Sequence, residues 1–180
     1  SHLFFCDEDY EKFGARIKCN PAIKSKKDRD ALREALRSNL IDVIGTDHAP
    51  HLLSEKQRGA LQAVSGMPTL QFSLTAVMEL VHAGLLSIEQ LVQKMCHAPA
   101  SLYQIANRGY IRPGYQADLV LVNPSKEWMV TNDCILSKCG WSPMEGETFH
   151  SKVEKTFVNG HLVYDNNQVD INHRAQALML

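Results

Sequence analysis

The chain has no apolar run near the roughly 18–20 residues needed to cross a bilayer. Its first residues, "SHLFFCDEDY", lack the basic and apolar regions of a secretion signal. Neither membrane insertion nor export is expected, and the chain reads as a cytoplasmic protein. Blocks of like charge are missing too: 19 lysines and arginines stand against 20 acids, for a net charge of −1. No basic surface offers itself to phosphates, so nucleic acid is not an expected partner. The five cysteines (Cys6, Cys19, Cys96, Cys134, Cys139) include no CxxC pair. That spacing, and the odd number, fit reduced thiols better than a structural zinc site or a disulfide framework. Internal repeats and low-complexity segments are absent as well. What remains is an ordinary globular composition, 44% hydrophobic and 22% charged over 180 residues, enough for one domain with a small satellite.

Ser25 opens a helical pattern that runs to about residue 38. Ala31, Leu32, Ala35 and Leu36 form its apolar stripe, so the basic run at 23–37 reads as a solvated amphipathic helix. "LIDVIGTD" (40–47) reads as a strand buried on both faces inside a parallel sheet, with a second strand near Arg16–Cys19. Residues 48–66 lose periodicity, a loop of a length usually reserved for function. Pro68 suits the first turn of a helix that continues through Leu70, Leu74, Val77, Met78 and Val81 to a stop at Gly84. Ser87 and Gln90 resemble a capping box for a further helix through Met95, and "HAPASLYQIANRG" makes a third, ended by Gly109. Beyond it, "ADLVLVN" (117–123) and "EWMVT" (127–131) are strand-like. "VEKTFVNGHLVYD" (153–165) alternates around an Asn-Gly pair, a strong hairpin signal. The chain therefore divides into an α/β segment to residue 108, a β-rich segment at 109–165, and a tail at 166–180 left open between a free segment and a docking helix.

Titratable chemistry concentrates in "IDVIGTDHAPH" (41–51). A carboxylate at the C-terminal end of a parallel strand, followed by a long loop, lies where α/β barrels and open sheets build their active sites. Asp47 there can ligate a cation such as zinc and exchange a proton with metal-bound water. His48 and His51 stay open between ligand, substrate clamp and polar loop residue. Packing and capping account for Cys96 and His97 at a helix boundary. His82 suits the C-terminal end of a helix dipole, and Trp128 and Trp141 read as core aromatics.

The string "TDHAPH" (46–51), with "EK" at 55–56, resembles the signature of dihydroorotases, members of the amidohydrolase superfamily that close the pyrimidine precursor ring from N-carbamoyl aspartate. "HLFF" (2–5), "KCNPAIKSKKDRDAL" (18–32), "SGMP" (65–68), "CHAPASLY" (96–103), "RGYIRPGYQADLVLV" (108–122) and "LSKCGWSPMEGETF" (136–149) resemble the matching segments, in the same order. The resemblance implies a fold: the C-terminal part of an amidohydrolase-type (β/α)8 TIM barrel plus a small β-sandwich satellite. It also implies roles. Asp47 would be a metal ligand and the catalytic proton carrier, and Asn20 and His51 would hold the substrate, His51 at its carboxylate. Ser65 and Gly66 would present backbone groups to the dihydropyrimidine ring, although Val64 and Ser65 replace the commoner "PFG" pattern. His51 separates this pattern from the related hydantoinases and allantoinases, which generally lack the second histidine; His2 stays outside the ligand set.

The resemblance further implies Zn2+, one or two ions, a small-molecule substrate and a possible homodimer. A whole barrel takes about 250 residues, and the family's HxH pair, bridging ligand and middle-strand histidines have no counterpart here. One carboxylate does not hold catalytic zinc, which normally has three protein ligands. The chain is therefore expected to be a dihydroorotase fragment, inactive and without zinc on its own. The alternatives are a related cyclic amidase acting on hydantoin or allantoin and a non-catalytic, scaffold-like homologue.

Overall fold

A computed structural model of the chain describes residues 1–178. The chain gathers into two compact units whose segments alternate along the sequence. Ser1–Ile41, Gly45–Ala76 and Met129–Thr148 form the first; Asp42–Ile44, Val77–Trp128 and residues 149–178 form the second.

The regular elements of the first unit are mostly helical. A 3-10 turn at Asp7–Asp9 leads into α1 (Tyr10–Phe13), a second 3-10 turn at Gly14–Ile17, and then α2 (Lys26–Arg37). The predicted strand near Arg16–Cys19 is therefore a 3-10 turn running into extended backbone at Lys18. Ser25 caps α2 as expected: its hydroxyl accepts from the Asp28 N–H while Asp28 accepts from the Ser25 N–H. The helix stops at Asn39, which takes a positive φ, with Leu40 N–H donating to Ala35 and Asn39 N–H to Leu36. Of the predicted apolar stripe only Leu36 is fully buried, whereas Leu32 is exposed. Arg29 and Arg33 share the face of Leu36: Arg33 Nε donates to the Leu3 carbonyl at 2.8 Å and Arg29 to that of Phe4. Long arginine stems cover apolar chain there while their heads satisfy its carbonyls.

The predicted strand at 40–47 is not found. Ile41, Val43 and Ile44 are only part-buried in irregular backbone, and the stretch ends in a single parallel bridge, His48 to Met67. A parallel strand is stabilised by neighbours along its length, and the bridge supplies one residue pair. Two short helices follow, α3 (Leu53–Lys56) and α4 (Gly59–Gln62). The next, α5 (Ser73–His82), starts at Ser73 and not at Pro68. Residues 67–69 are drawn into other bonds: Met67 O accepts from Ala49 N–H, and the Thr69 hydroxyl donates to Thr46 O. The predicted stop at Gly84 holds. At φ +69° it lets Leu85 N–H reach Leu80 O while its own N–H reaches Val81 O.

In the second unit, α6 (Ile88–Val92) has the Ser87–Gln90 capping box read from the sequence. It continues through a π-helical turn at Gln93–His97 into α7 (Ala98–Leu102). That helix ends well before Gly109, because Gln104 takes the positive φ and Ile105 N–H closes onto Ala100 O. Gly109 serves a different need: a Cβ there would lie 2.5 Å from Ala100 Cβ and 2.8 Å from Cys96 O. The strands are β1 (Leu119–Asn123), β2 (Trp128–Met129), β3 (Thr148–Phe149), β4 (Lys152–Val158), β5 (His161–Asp165) and β6 (Gln168–Val169). β2 pairs with β3, and the others form an antiparallel sheet in the order β1-β4-β5-β6. The Asn159-Gly160 hairpin forms as predicted, with φ of 52° and 81°. Asn166 and Asn167 make a second such turn into β6, inside the stretch read as a tail. The tail reading also covers residues 179–180, which lie outside the described residues.

Candidate active site

Three stretches of the first unit, 18–20, 46–51 and 64–70, are tied together with almost no ladder bonding. Gly66 N–H donates to Lys18 O at 2.9 Å, and Ala49 N–H to Met67 O at 3.0 Å. The Thr69 hydroxyl holds Thr46 O at 2.9 Å. His48 Nδ1 accepts both the Thr69 and the Leu70 N–H, each at 3.1 Å. Its Nδ1 is thus the unprotonated nitrogen, and of the roles left open for His48 these bonds suit the polar loop residue, one that ties backbone. Gly66 sits at φ +130°, where a Cβ would meet Ala49 Cβ and O at 2.7 Å and His51 Cδ2 at 3.0 Å. Only a residue without a side chain lets the two loops approach this closely.

Lys56 lies among these stretches, 1% exposed. Its three N–H donors go to three carbonyls, Lys18 O at 2.9 Å, Val64 O at 2.8 Å and Gly66 O at 2.7 Å. Burial lowers its pKa below the ordinary lysine value, with the Cys19 thiol opposing. Lys18 Nζ ties the same loop from another side, donating to Ala60 O and Ala63 O. Burial likewise pushes the Cys19 thiol up, Asp47 adding to the shift.

The residues nominated by the sequence lie on these three stretches: Asn20 on the first, Asp47 and His51 on the second, Ser65 and Gly66 on the third. Asp47, Asn20 and Ser65 are exposed. Asp47 has φ +50°, a left-handed conformation that Asp tolerates better than most residues and that recurs at functional sites. His51 is held through its backbone, its carbonyl accepting from Trp141 Nε1 at 2.8 Å, while its Nδ1 lies 3.9 Å from Glu55 Oε2. A cleft of about 460 Å³ opens beside it, lined by His48, Pro50, His51, Glu55, Lys138 and Cys139 among others. Trp141 is buried, as a core aromatic should be, yet its N–H also anchors the loop. Sequence reading missed Lys56 and Lys18 as organisers of the site. The "EK" at 55–56 was a visible signal for the first, but its meaning lies in contacts with distant carbonyls.

Residues 8–163 match the Amidohydrolase family, and the chain belongs to that family. Its fold is accordingly a mixed α/β portion of an amidohydrolase TIM barrel. Among curated relatives, the dihydroorotase of Clostridioides difficile is 42% identical over 165 residues, which is 91% of this chain and 38% of the relative. The dihydroorotase of Pyrococcus abyssi is 34% identical over 178 residues, 99% of this chain and 42% of the relative. Among solved structures, the L-hydantoinase (dihydropyrimidinase) of Arthrobacter aurescens superposes with a TM-score of 0.86 at 29% identity, covering 94% of this chain and 39% of that one. The chain thus spans about two fifths of the length of the relatives it matches.

Amidohydrolases generally carry a metal. Asp47 is a suitable ligand type, but among the described residues no three His, Cys, Asp or Glu side chains converge on a common point, and catalytic zinc takes three protein ligands. The described residues of this chain do not by themselves fit a zinc centre. Among the described residues, too, no helix is long and apolar enough to cross a membrane.

Proposed function

We propose that the whole protein is a dihydroorotase, which opens the cyclic amide of dihydroorotate to N-carbamoyl aspartate and closes it again in pyrimidine synthesis. In this reading Asn20, Asp47, His51, Ser65 and Gly66 form one side of its active site. The observation that carries it is the hydrogen bonding that brings together stretches 18–20, 46–51 and 64–70, which bear all five residues. In the hydrolytic direction water adds to the ring carbonyl carbon and the carbon–nitrogen bond breaks. The Asp47 carboxylate takes the proton released by the water and delivers it to the departing ring nitrogen. His51 and Asn20 hold the substrate's polar groups, and the 65–66 backbone lies along the ring. The family's zinc, one or two ions, requires ligands besides Asp47. Residues 1–108 belong to the barrel and 109–165 to a β-sandwich satellite, and the five free cysteines favour a reducing, cytoplasmic setting. A homodimer is the expected assembly.

The test is turnover of dihydroorotate and of hydantoin by the whole protein and by its Asp47→Asn variant, which keeps the residue's shape and its tolerance of positive φ. Turnover of dihydroorotate that falls about 10²–10⁴-fold in the variant is the expected result. A wild type that opens hydantoin and spares dihydroorotate would move the assignment to the hydantoinases, to which the fold is similar. A wild type inert on both would favour a scaffold.

A further inference from the structure

Lys56 is fully buried and none of the proton transfers above needs it. Among the described residues no carboxylate neutralises it at hydrogen-bonding distance; its three bonds all go to backbone carbonyls. Taking an ammonium out of water for dipoles alone is costly, and a methionine would fill the same space without that cost. The arrangement does not suit chemistry at Nζ. All three donors are engaged, and 1% exposure leaves no path for a substrate atom.

What the three carbonyls have in common is their position. Lys18 immediately precedes Cys19 and Asn20, and Val64 and Gly66 bracket Ser65. Lys18 O also accepts the Gly66 N–H, so one oxygen receives bonds from the lysine and from the loop it organises. Lys56 closes α3, whose first turn is capped by Glu55 accepting from Leu52 N–H, and that carboxylate faces His51. One side chain therefore joins two of the three stretches, 18–20 and 64–70, and its neighbour Glu55 faces the third at His51.

We infer that Lys56 is a positioning residue, a three-carbonyl pin that sets Asn20, Ser65 and Gly66 in register with one another so that they bind substrate together. For what the register serves, the inference rests on the dihydroorotase reading. The loop at 64–66 has no strand partner and no helix of its own, so the pin replaces the ladder that elsewhere fixes backbone. Lys18 Nζ, on Ala60 O and Ala63 O, closes the N-terminal side of the same loop.

The test uses the whole protein, wild type and Lys56→Met, with two readouts. The first is amide hydrogen exchange in peptides covering 16–20 and 63–70, with 152–165 as the internal reference; the second is the separate determination of kcat and KM for dihydroorotate. The expected result is faster exchange in the two site peptides alone, with KM raised about tenfold or more and kcat within a few-fold of wild type. Unchanged exchange at 63–70 overturns the inference, and so does a fall in kcat at constant KM, which would place Lys56 in the chemistry. Faster exchange in a protein whose wild type leaves dihydroorotate intact supports the pin and overturns the substrate reading. Should the methionine variant not fold, Lys56→Gln, which keeps two donors on a shorter neutral head, carries the same test with a smaller expected change.

Discussion

Residues 152–169 and residues 46–70 hold their backbones by opposite means. In the first stretch three strands are linked by two-residue turns, Asn159-Gly160 and Asn166-Asn167, and each strand finds its neighbour within a few residues of chain. The bonds are backbone to backbone, and side chains such as Lys155 and Asp165, 2.6 Å apart on paired residues, add to a ladder that exists without them. In the second stretch backbone is fixed largely by side chains: Lys56 on three carbonyls, His48 on two N–H groups, and Thr69 on one carbonyl. A ladder distributes its energy over many equivalent bonds. A pinned loop concentrates it in a few groups, and it leaves neighbouring side chains such as Asp47 and Ser65 free to face solvent.

The contrast predicts different sensitivities to the same change. Gly66→Ala puts a Cβ 2.7 Å from Ala49 Cβ and O at φ +130°. It is expected to cost about 3 kcal/mol or more, from overpacking and backbone strain together, read as a lower urea midpoint. Gly160→Ala meets nothing nearer than Ala117 Cβ at 3.9 Å, so only the positive-φ penalty of about 1–2 kcal/mol applies. Equal losses at the two glycines would erase the distinction. Trp141→Phe keeps most of the ring and removes the donor to His51 O. The expected loss is about 1–2 kcal/mol, with a rise in KM greater than the fall in kcat, because the His51 loop loosens.

The smallest effect belongs to an exposed pair of the second unit. Glu79 accepts from the His150 N–H at 2.8 Å and contacts its Nδ1 at 2.9 Å; the carboxylate raises the histidine above its ordinary 6.5, with Glu127 assisting. A raised folded-state value means that the pair's stabilisation is fully present below pH 6.5 and is lost as pH rises through the higher value. Melting curves of wild type and Glu79→Gln should therefore differ more at pH 5.5 than at pH 8.5, and a constant difference would remove this assignment.

Local signals in the sequence were met where the structure is local. Ser25, Gly84, the Ser87–Gln90 box and the Asn159-Gly160 turn each act within a few residues of themselves, so their chemistry is visible in the string. Asn166-Asn167 carried the same kind of signal, since asparagine tolerates positive φ, and could have been read. The strand expected at 40–47 failed because a parallel strand depends on neighbours distant in sequence. The pinned loop was invisible to periodicity for a related reason: Lys56 reaches Lys18 across 38 residues, and nothing in the pattern around it marks those carbonyls. Asn20, Ser65, Gly66 and the role of His51 came from family resemblance alone, whereas Asp47 was also indicated by its place before a long loop.

The seclusion of Lys56 gives the molecule a built-in clock. An amine-acylating reagent consumes surface lysines quickly, but it can reach this ammonium only during the moments when the 64–66 loop lets go of it. The lag between surface labelling and labelling at Lys56 would time those openings, and any small molecule that settles on the loop would lengthen the lag without needing to be turned over.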